Sequence, residues 1–295
     1  MNKTPARLLA AIITATAMHT AAAEHTTLPE ITVSGQASNI DSFSLNPRLI
    51  NSPGMDSAQL LRRIPGASVN SNGPLTGIAQ YRGMFGERVN TVIGGMHIAP
   101  GGPNTMDPPL SYIPRAQLES LQLLRGIAPV SSGNETIGGT IEAEPLRSHF
   151  TDTDQISLSG LLDAGYHSVD NGYGVDLFAS LANRHHRAHI AASRESGDDT
   201  EFDKGTIHPT EYERDNYRLG YGYRQGAHQV GLEYERNDTG QTGTPALPMD
   251  IIFIKADLGQ ANYSGQWGAV TITARVSGGH IDHRMDNFDL RTPPG

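Results

Sequence analysis

The chain has 295 residues, a formal net charge of −9 and no cysteine. The lack of thiols excludes disulfide staples and thiolate metal ligands within these residues, and an acidic balance with no basic tract argues against nucleic acid as a partner. With 33 glycines and 37% hydrophobic residues, the composition suits a β protein with many turns and a polar interior better than one with a large dry core.

Residues 1–23 read as a secretory signal peptide, with Lys3 and Arg7 ahead of an apolar run and Ala21-Ala22-Ala23 before Glu24. The run falls short of the roughly 20 residues a membrane-spanning helix needs, and no later segment is apolar enough for one. An exported chain without helical spans is periplasmic, secreted or an outer-membrane barrel. Residues 24–55 are rich in Ser, Asn and Pro and read as a linker. Within them Leu28-Pro29-Glu30-Ile31-Thr32-Val33-Ser34-Gly35 is a short β-prone run that could add as a strand to a partner's sheet edge.

Residues 56–148 predict one small α+β domain. Ser57 is placed to cap a short helix through Arg63, which Pro65-Gly66 stops. Residues 89–93 read as a strand and Gly94-Gly95 as the turn after it. The spacing of Leu118, Leu121, Leu123 and Leu124 fits both helix and strand.

From Gln155 the period changes to two. Ile156, Leu158, Leu162 and Ala164 form one apolar face, followed by Tyr173, Val175, Leu177, Ala179 and Leu181, then by Ala188, Ile190 and Ala192 opposite Arg187, His189 and Ser193. Tyr217, Leu219, Tyr221 and Tyr223 alternate with Arg218, Gly220, Gly222 and Arg224, and Val230, Leu232 and Tyr234 lie opposite Glu233 and Glu235. Ile254, Ala256 and Leu258 face away from Lys255 and Asp257, and Val270, Ile272, Ala274 and Val276 complete the set. Strands of about ten residues, apolar outward and charged inward, are the signature of a transmembrane β-barrel. A soluble sandwich would have to bury those charges unpaired. Tyr173, Tyr223 and Tyr234 at strand ends suit aromatic girdles. Long connections near 195–212 and 237–250 would be extracellular, and the tight one at Gln225-Gly226-Ala227 periplasmic.

Four motifs carry a family resemblance: Leu60-Leu61-Arg62-Arg63-Ile64-Pro65-Gly66, Tyr81-Arg82-Gly83-Met84, Leu121-Gln122-Leu123-Leu124-Arg125-Gly126, and residues 132–141 ending in Ile137-Gly138-Gly139-Thr140-Ile141. In this order they resemble the plug domain of TonB-dependent outer-membrane transporters. The resemblance implies an α+β plug followed by an antiparallel transmembrane barrel of about 22 strands, of which residues 149–295 would supply only the first part, so a truncated chain is expected. It makes Leu28, Pro29, Glu30, Ile31, Thr32 and Val33 the TonB box, the contact with the TonB energy-transducing complex, and it makes Arg82 and Arg125 plug–barrel contacts.

Two further runs, Met106-Asp107-Pro108-Pro109-Leu110-Ser111-Tyr112-Ile113 and His283-Arg284-Met285-Asp286-Asn287-Phe288, resemble the copper-receptor branch of that family. The resemblance implies copper as the transported substrate, with Met106, His283 and Met285 as its ligands. Thioether and imidazole donors favour Cu(I) over hard cations. The branch also places a cysteine where Gly102 stands here, and His97 is the nearby substitute. The alternatives are a receptor for a siderophore or other metal chelate, or a non-transporting fragment acting as a binding protein. His280 is an auxiliary candidate, and alternation puts His185 and His189 toward the lumen. No enzyme motif is found: there is no Gly-x-Ser-x-Gly elbow, phosphate loop or His-Glu-x-x-His.

Overall fold

A computed structural model describes residues 42–47, 56–98, 100, 105–126 and 136–291. The signal region 1–23, the six residues Leu28, Pro29, Glu30, Ile31, Thr32 and Val33, and Gly102 lie outside the described residues. No described helix is long and apolar enough to cross a membrane.

The N-terminal domain is built on seven strands: β1 (Ser42–Leu45), β2 (Ala67–Ser71), β3 (Gly77–Tyr81), β4 (Asn90–Ile93), β5 (Met96–His97), β6 (Leu118–Leu124) and β7 (Thr140–Pro145). Five of them form a mixed sheet in the order β1-β6-β7-β4-β5, with only β4 and β7 parallel, while β2 and β3 make a separate hairpin. The short helix at 57–63 is a 3-10 turn capped by Asp56, whose carboxylate accepts from the Ala58 amide at 2.9 Å. Ser57 is therefore not the cap; its hydroxyl donates to the Ile113 carbonyl at 2.5 Å and ties this helix to a distant loop. Burial raises the Asp56 carboxyl above its ordinary value, against the Ala58 amide and Gln59, which lower it.

The ambiguous leucines resolve as one helical turn at Arg115–Gln117 and then β6. Leu118, Leu121 and Leu123 are fully buried with Leu60, Leu61 and Ile141 in the core. Each such side chain contributes about 1.5–3 kcal/mol relative to exposure. The segment read as a linker over 24–55 also supplies structure: β1 joins the sheet edge because Phe43 and Leu45 pack on that core.

Nine strands follow: β8 (Ser157–His167), β9 (Gly172–Ala182), β10 (His186–Gly197), the small hairpin β11 (Thr200–Phe202) and β12 (Gly205–Ile207), then β13 (Tyr212–Gln225), β14 (His228–Thr239), β15 (Asp250–Trp267) and β16 (Val270–Asp286). All but β11 and β12 form one antiparallel meander, β16-β15-β14-β13-β10-β9-β8, which is open at β16 and β8. One face lies on the N-terminal domain, and the other exposes Leu158, Leu162, Val175, Leu177, Ile190, Leu219 and Leu232. Connections at 226–227 and 268–269 are two residues long, whereas those at 198–211 and 240–249 leave from the opposite end. The alternation expected from Gln155 onward is thus realised in the register.

One strand departs from it. Ile254, Ala256 and Leu258 of β15 face inward, are at most 5% exposed, and belong to the core of the N-terminal domain. Lys255 and Asp257 point outward instead. The sequence pattern reads as apolar-out, but an inner face that lies on a folded domain meets apolar surface to cover, and burial there outweighs the rule of a polar interior.

Candidate functional site

The inner face of the sheet grips the N-terminal domain through donors aimed at its backbone carbonyls. Arg214 of β13 pairs with Glu195 of β10 and donates from Nη1 to Ser111 O at 2.6 Å. Asn216 and Asn237 donate to Tyr112 O at 3.4 and 3.2 Å. Gln260 reaches Gly94 O at 3.1 Å. A second column holds the connection between the two domains. Arg218 donates to Leu146 O (3.3 Å), Arg187 to Ser148 O (2.8 Å), Arg224 to Thr151 O (2.7 Å) and Arg184 to Asp152 O (2.7 Å). Arg147 answers with an ion pair to Glu233 at 3.5 Å. Carbonyls left bare inside a wall would each cost free energy comparable to a lost hydrogen bond, so these donors are what let irregular backbone lie against the wall.

Sequence reasoning looked to arginines of the N-terminal domain, whereas these bonds run mainly the other way. Arg82, at φ +50°, is exposed and stacks over its neighbour Tyr81, and Arg125 stacks over Phe43 at 4.0 Å. The usable signal was the regular placement of Arg187, Arg214, Arg218 and Arg224 on the inward phase of their strands.

The loop at 105–113 is the meeting point. Its Thr105 takes a left-handed φ of +53°, and Pro108-Pro109 start a helical turn in which Ser111 donates to Pro108 O from both N and Oγ. This buries Met106 and Asp107 at 2% and 1% exposure. Asp107 Oδ2 accepts from the Tyr112 hydroxyl at 2.7 Å and lies 3.5 Å from His283 Nδ1, while its Oδ1 is buried with no hydrogen-bond partner among the described residues. Burial and the Asp107 carboxylate push the Tyr112 phenol well above its ordinary range.

His283 and Met285 sit two apart on β16, so both point inward, and Met285 packs on the core beside Ile281. The structure thus brings His283 and Met285 to the face that meets the loop carrying Met106. His97 is exposed and lines a cavity of about 330 Å³ with Thr105, Pro108 and Leu110. His280 falls on the opposite phase of β16, exposed beside Asp257, and is not an auxiliary ligand of this cluster. His185 is exposed and donates from Nδ1 to Arg224 O at 3.0 Å. His189 is buried, with Nε2 at 3.1 Å from Glu233 and Nδ1 at 3.3 Å from the Ser148 amide, so it clamps the interdomain connection.

Residues 28–140 match the family model described as the TonB-dependent Receptor Plug Domain. No curated protein matches the sequence. Among solved structures the chain is similar to the copper transporter OprC, at 26% identity and a TM-score of 0.75, covering 85% of this chain and 39% of that one. It is similar to the Serratia marcescens hemophore receptor HasR in complex with its hemophore and heme, at 19% identity and a TM-score of 0.67, covering 82% and 38%. It is also similar to the ferric enterobactin receptor PfeA from Pseudomonas aeruginosa, at 13% identity and a TM-score of 0.60, covering 81% and 41%. The latter two carry the fold alone. The chain spans about two fifths of the length of the receptors it matches.

Proposed function

From the plug-domain match over residues 28–140 and the likeness to a copper transporter, we propose that this chain belongs to the TonB-dependent outer-membrane receptors and that the receptor of which it forms the plug and first barrel strands imports copper into the periplasm. In this reading residues 1–23 are the export signal, 24–55 the TonB-box segment and linker, 56–148 the plug, and 149–295 the first part of the barrel. The long connections at 198–211 and 240–249 face outside the cell and the two-residue turns face the periplasm. Copper is the cargo and not a catalyst.

The observation that carries the proposal is the convergence on the plug loop. His283 lies 3.5 Å from Asp107, the residue after Met106, and Met285 shares its inward face. Two thioethers and an imidazole make a soft donor set that suits Cu(I). Asp107, through Nδ1, orients the His283 ring so that Nε2 is the free donor toward a metal, as outer partners of metal-bound histidines do. A site shared by plug and barrel comes apart when the plug moves, so a pull transmitted from TonB through residues 28–33 would release the cargo.

The test is copper content by mass spectrometry of the complete receptor purified from outer membranes, against a Met106→Ala, His283→Ala, Met285→Ala triple variant. Near-stoichiometric copper that disappears in the variant supports the reading. Equal, low copper in both refutes it. Gly102, at the position where the copper branch carries a cysteine, favours a second reading in which a metal chelate is the cargo. In that case the chelate and not the free ion saturates the wild type.

A further inference from the structure

The exposed face of the sheet is apolar in its middle and changes character at both ends. Along β13 the outward residues run Tyr223, Tyr221, Leu219 and Tyr217, a span of about 20 Å. Toward the long connections it meets ion pairs such as Arg194–Asp215 at 2.7 Å. Toward the two-residue turns it meets a different set, with two histidines, three tyrosines and the single tryptophan on four neighbouring strands.

That set is ordered by its own hydrogen bonds. His186 of β10 has Nδ1 at 2.8 Å from the Tyr221 hydroxyl and its ring 5.1 Å from the Tyr223 ring. His228 of β14 has Nδ1 at 2.8 Å from the Tyr263 hydroxyl and stands edge-on to Trp267 at 4.9 Å. Trp267 Nε1, which can only donate, reaches the same Tyr263 oxygen at 3.0 Å. Because Tyr263 accepts from Trp267, its own hydroxyl proton is left to donate to His228 Nδ1, and we assign the Tyr221–His186 pair the same sense. Each imidazole then carries its proton on Nε2. No hydrogen bond among the described residues takes up either Nε2.

We propose that His186 and His228 present these two Nε2–H donors to the phosphate esters of phospholipids in the periplasmic leaflet. The inference goes beyond copper transport and rests only on the membrane orientation proposed above. Three features fix the occupant. The patch continues directly from the apolar belt formed by Ile190, Leu219 and Leu232, which in an outer-membrane barrel meets acyl chains. Tyr and Trp are the side chains that settle at headgroup depth, apolar body inward and polar tip toward water. Finally, neither cluster's own contacts include a carboxylate, so an anionic oxygen is the acceptor that fits these donors. Tyr221 and Tyr263 act as positioning residues, because they hold the tautomer.

Native mass spectrometry of the complete receptor in detergent tests this, with phosphatidylethanolamine and a diacylglycerol of the same acyl chains as probes. Two hydrogen bonds of ordinary strength predict that wild type retains the phospholipid about tenfold better than the diacylglycerol. A His186→Phe, His228→Phe variant, which keeps ring bulk and loses both donors, brings phospholipid retention down to the diacylglycerol level. Equal retention of the two probes by wild type overturns the proposal, whether or not the variant folds. So does undiminished phospholipid retention by a variant whose heat-modifiable gel mobility shows a folded barrel. The readout needs no copper, so a failed transport reading leaves it intact.

Discussion

Arg214 and Glu195 stand opposite each other on neighbouring strands and pair out of reach of solvent, with side-chain exposures of 1% and 2%, while Arg214 keeps one donor for the plug at Ser111 O. Removing one member of such a pair strands a buried charge, which costs about 3–5 kcal/mol. Arg214→Ala in the complete receptor should therefore lower its melting temperature and loosen the plug loop. The double change Arg214→Leu, Glu195→Leu should regain most of the stability without the Ser111 contact. Thermal melts and sensitivity of cells to large antibiotics separate the two effects: recovered melting with persistent leakage is the expected result.

Gly73, at the tip of the β2–β3 hairpin, has no room for a side chain. A Cβ there would stand 2.2 Å from the Gly243 carbonyl oxygen, on the connection whose Ala246 amide donates to Asn72 O at 3.3 Å. Gly73→Ala must push the plug tip and the 240–249 connection apart, at about 1–3 kcal/mol. Faster proteolysis within 240–249, with cleavage elsewhere unchanged, is the expected readout.

Asp107 is the carboxylate through which His283 meets the plug. Outer partners of metal-bound histidines typically contribute 10–100-fold to affinity, so Asp107→Ala should weaken copper binding by about that range while Met106, His283 and Met285 remain. Titration of the purified receptor with Cu(I) checks it, and an unchanged dissociation constant would remove Asp107 from the account.

Asp199 and His208 pair across the 198–211 connection at 2.5 Å. The Asp199 hydrogen bond holds the His208 imidazole above its ordinary value. For Asp199, burial pushes upward, but His208 and the Thr210 and Glu211 amides outweigh it and hold the carboxyl low. The imidazole's contribution is complete below the unfolded histidine value of about 6.5 and is lost as pH rises through the raised folded value. The carboxylate's contribution is present above the unfolded value of about 3.9 and is lost as pH falls through the depressed one. Ordering of this connection should thus peak in mildly acidic solution. Histidine NMR should show His208 titrating at lower pH in Asp199→Asn than in wild type.

Much of this was legible from residue order. Period-two alternation from Gln155 onward placed six of the seven wall strands because outward positions must be apolar for lipid. The inward phase of His283 and Met285 was not legible in this way, because the apolar alternation stops at Val276 while β16 runs on to Asp286. What sequence could not supply was anything set by the plug's presence inside the wall. Ile254, Ala256 and Leu258 have the same pattern whether they meet lipid or plug, and only their contact with the Leu118–Leu123 core decides it. The partners of Asp107 and Arg214 could not be read for a related reason: His283 and Ser111 lie more than a hundred residues away.

The column of arginines on Leu146, Ser148, Thr151 and Asp152 gives the plug one fixed end. The other end begins at β1, an edge strand matched to β6 over only four residue pairs. Load applied from the N-terminus therefore meets the four-pair joint of β1 first and the arginine column last. The plug would unravel in sequence order, like a seam with one stitched end, and would wind back onto the same anchor when the load is released.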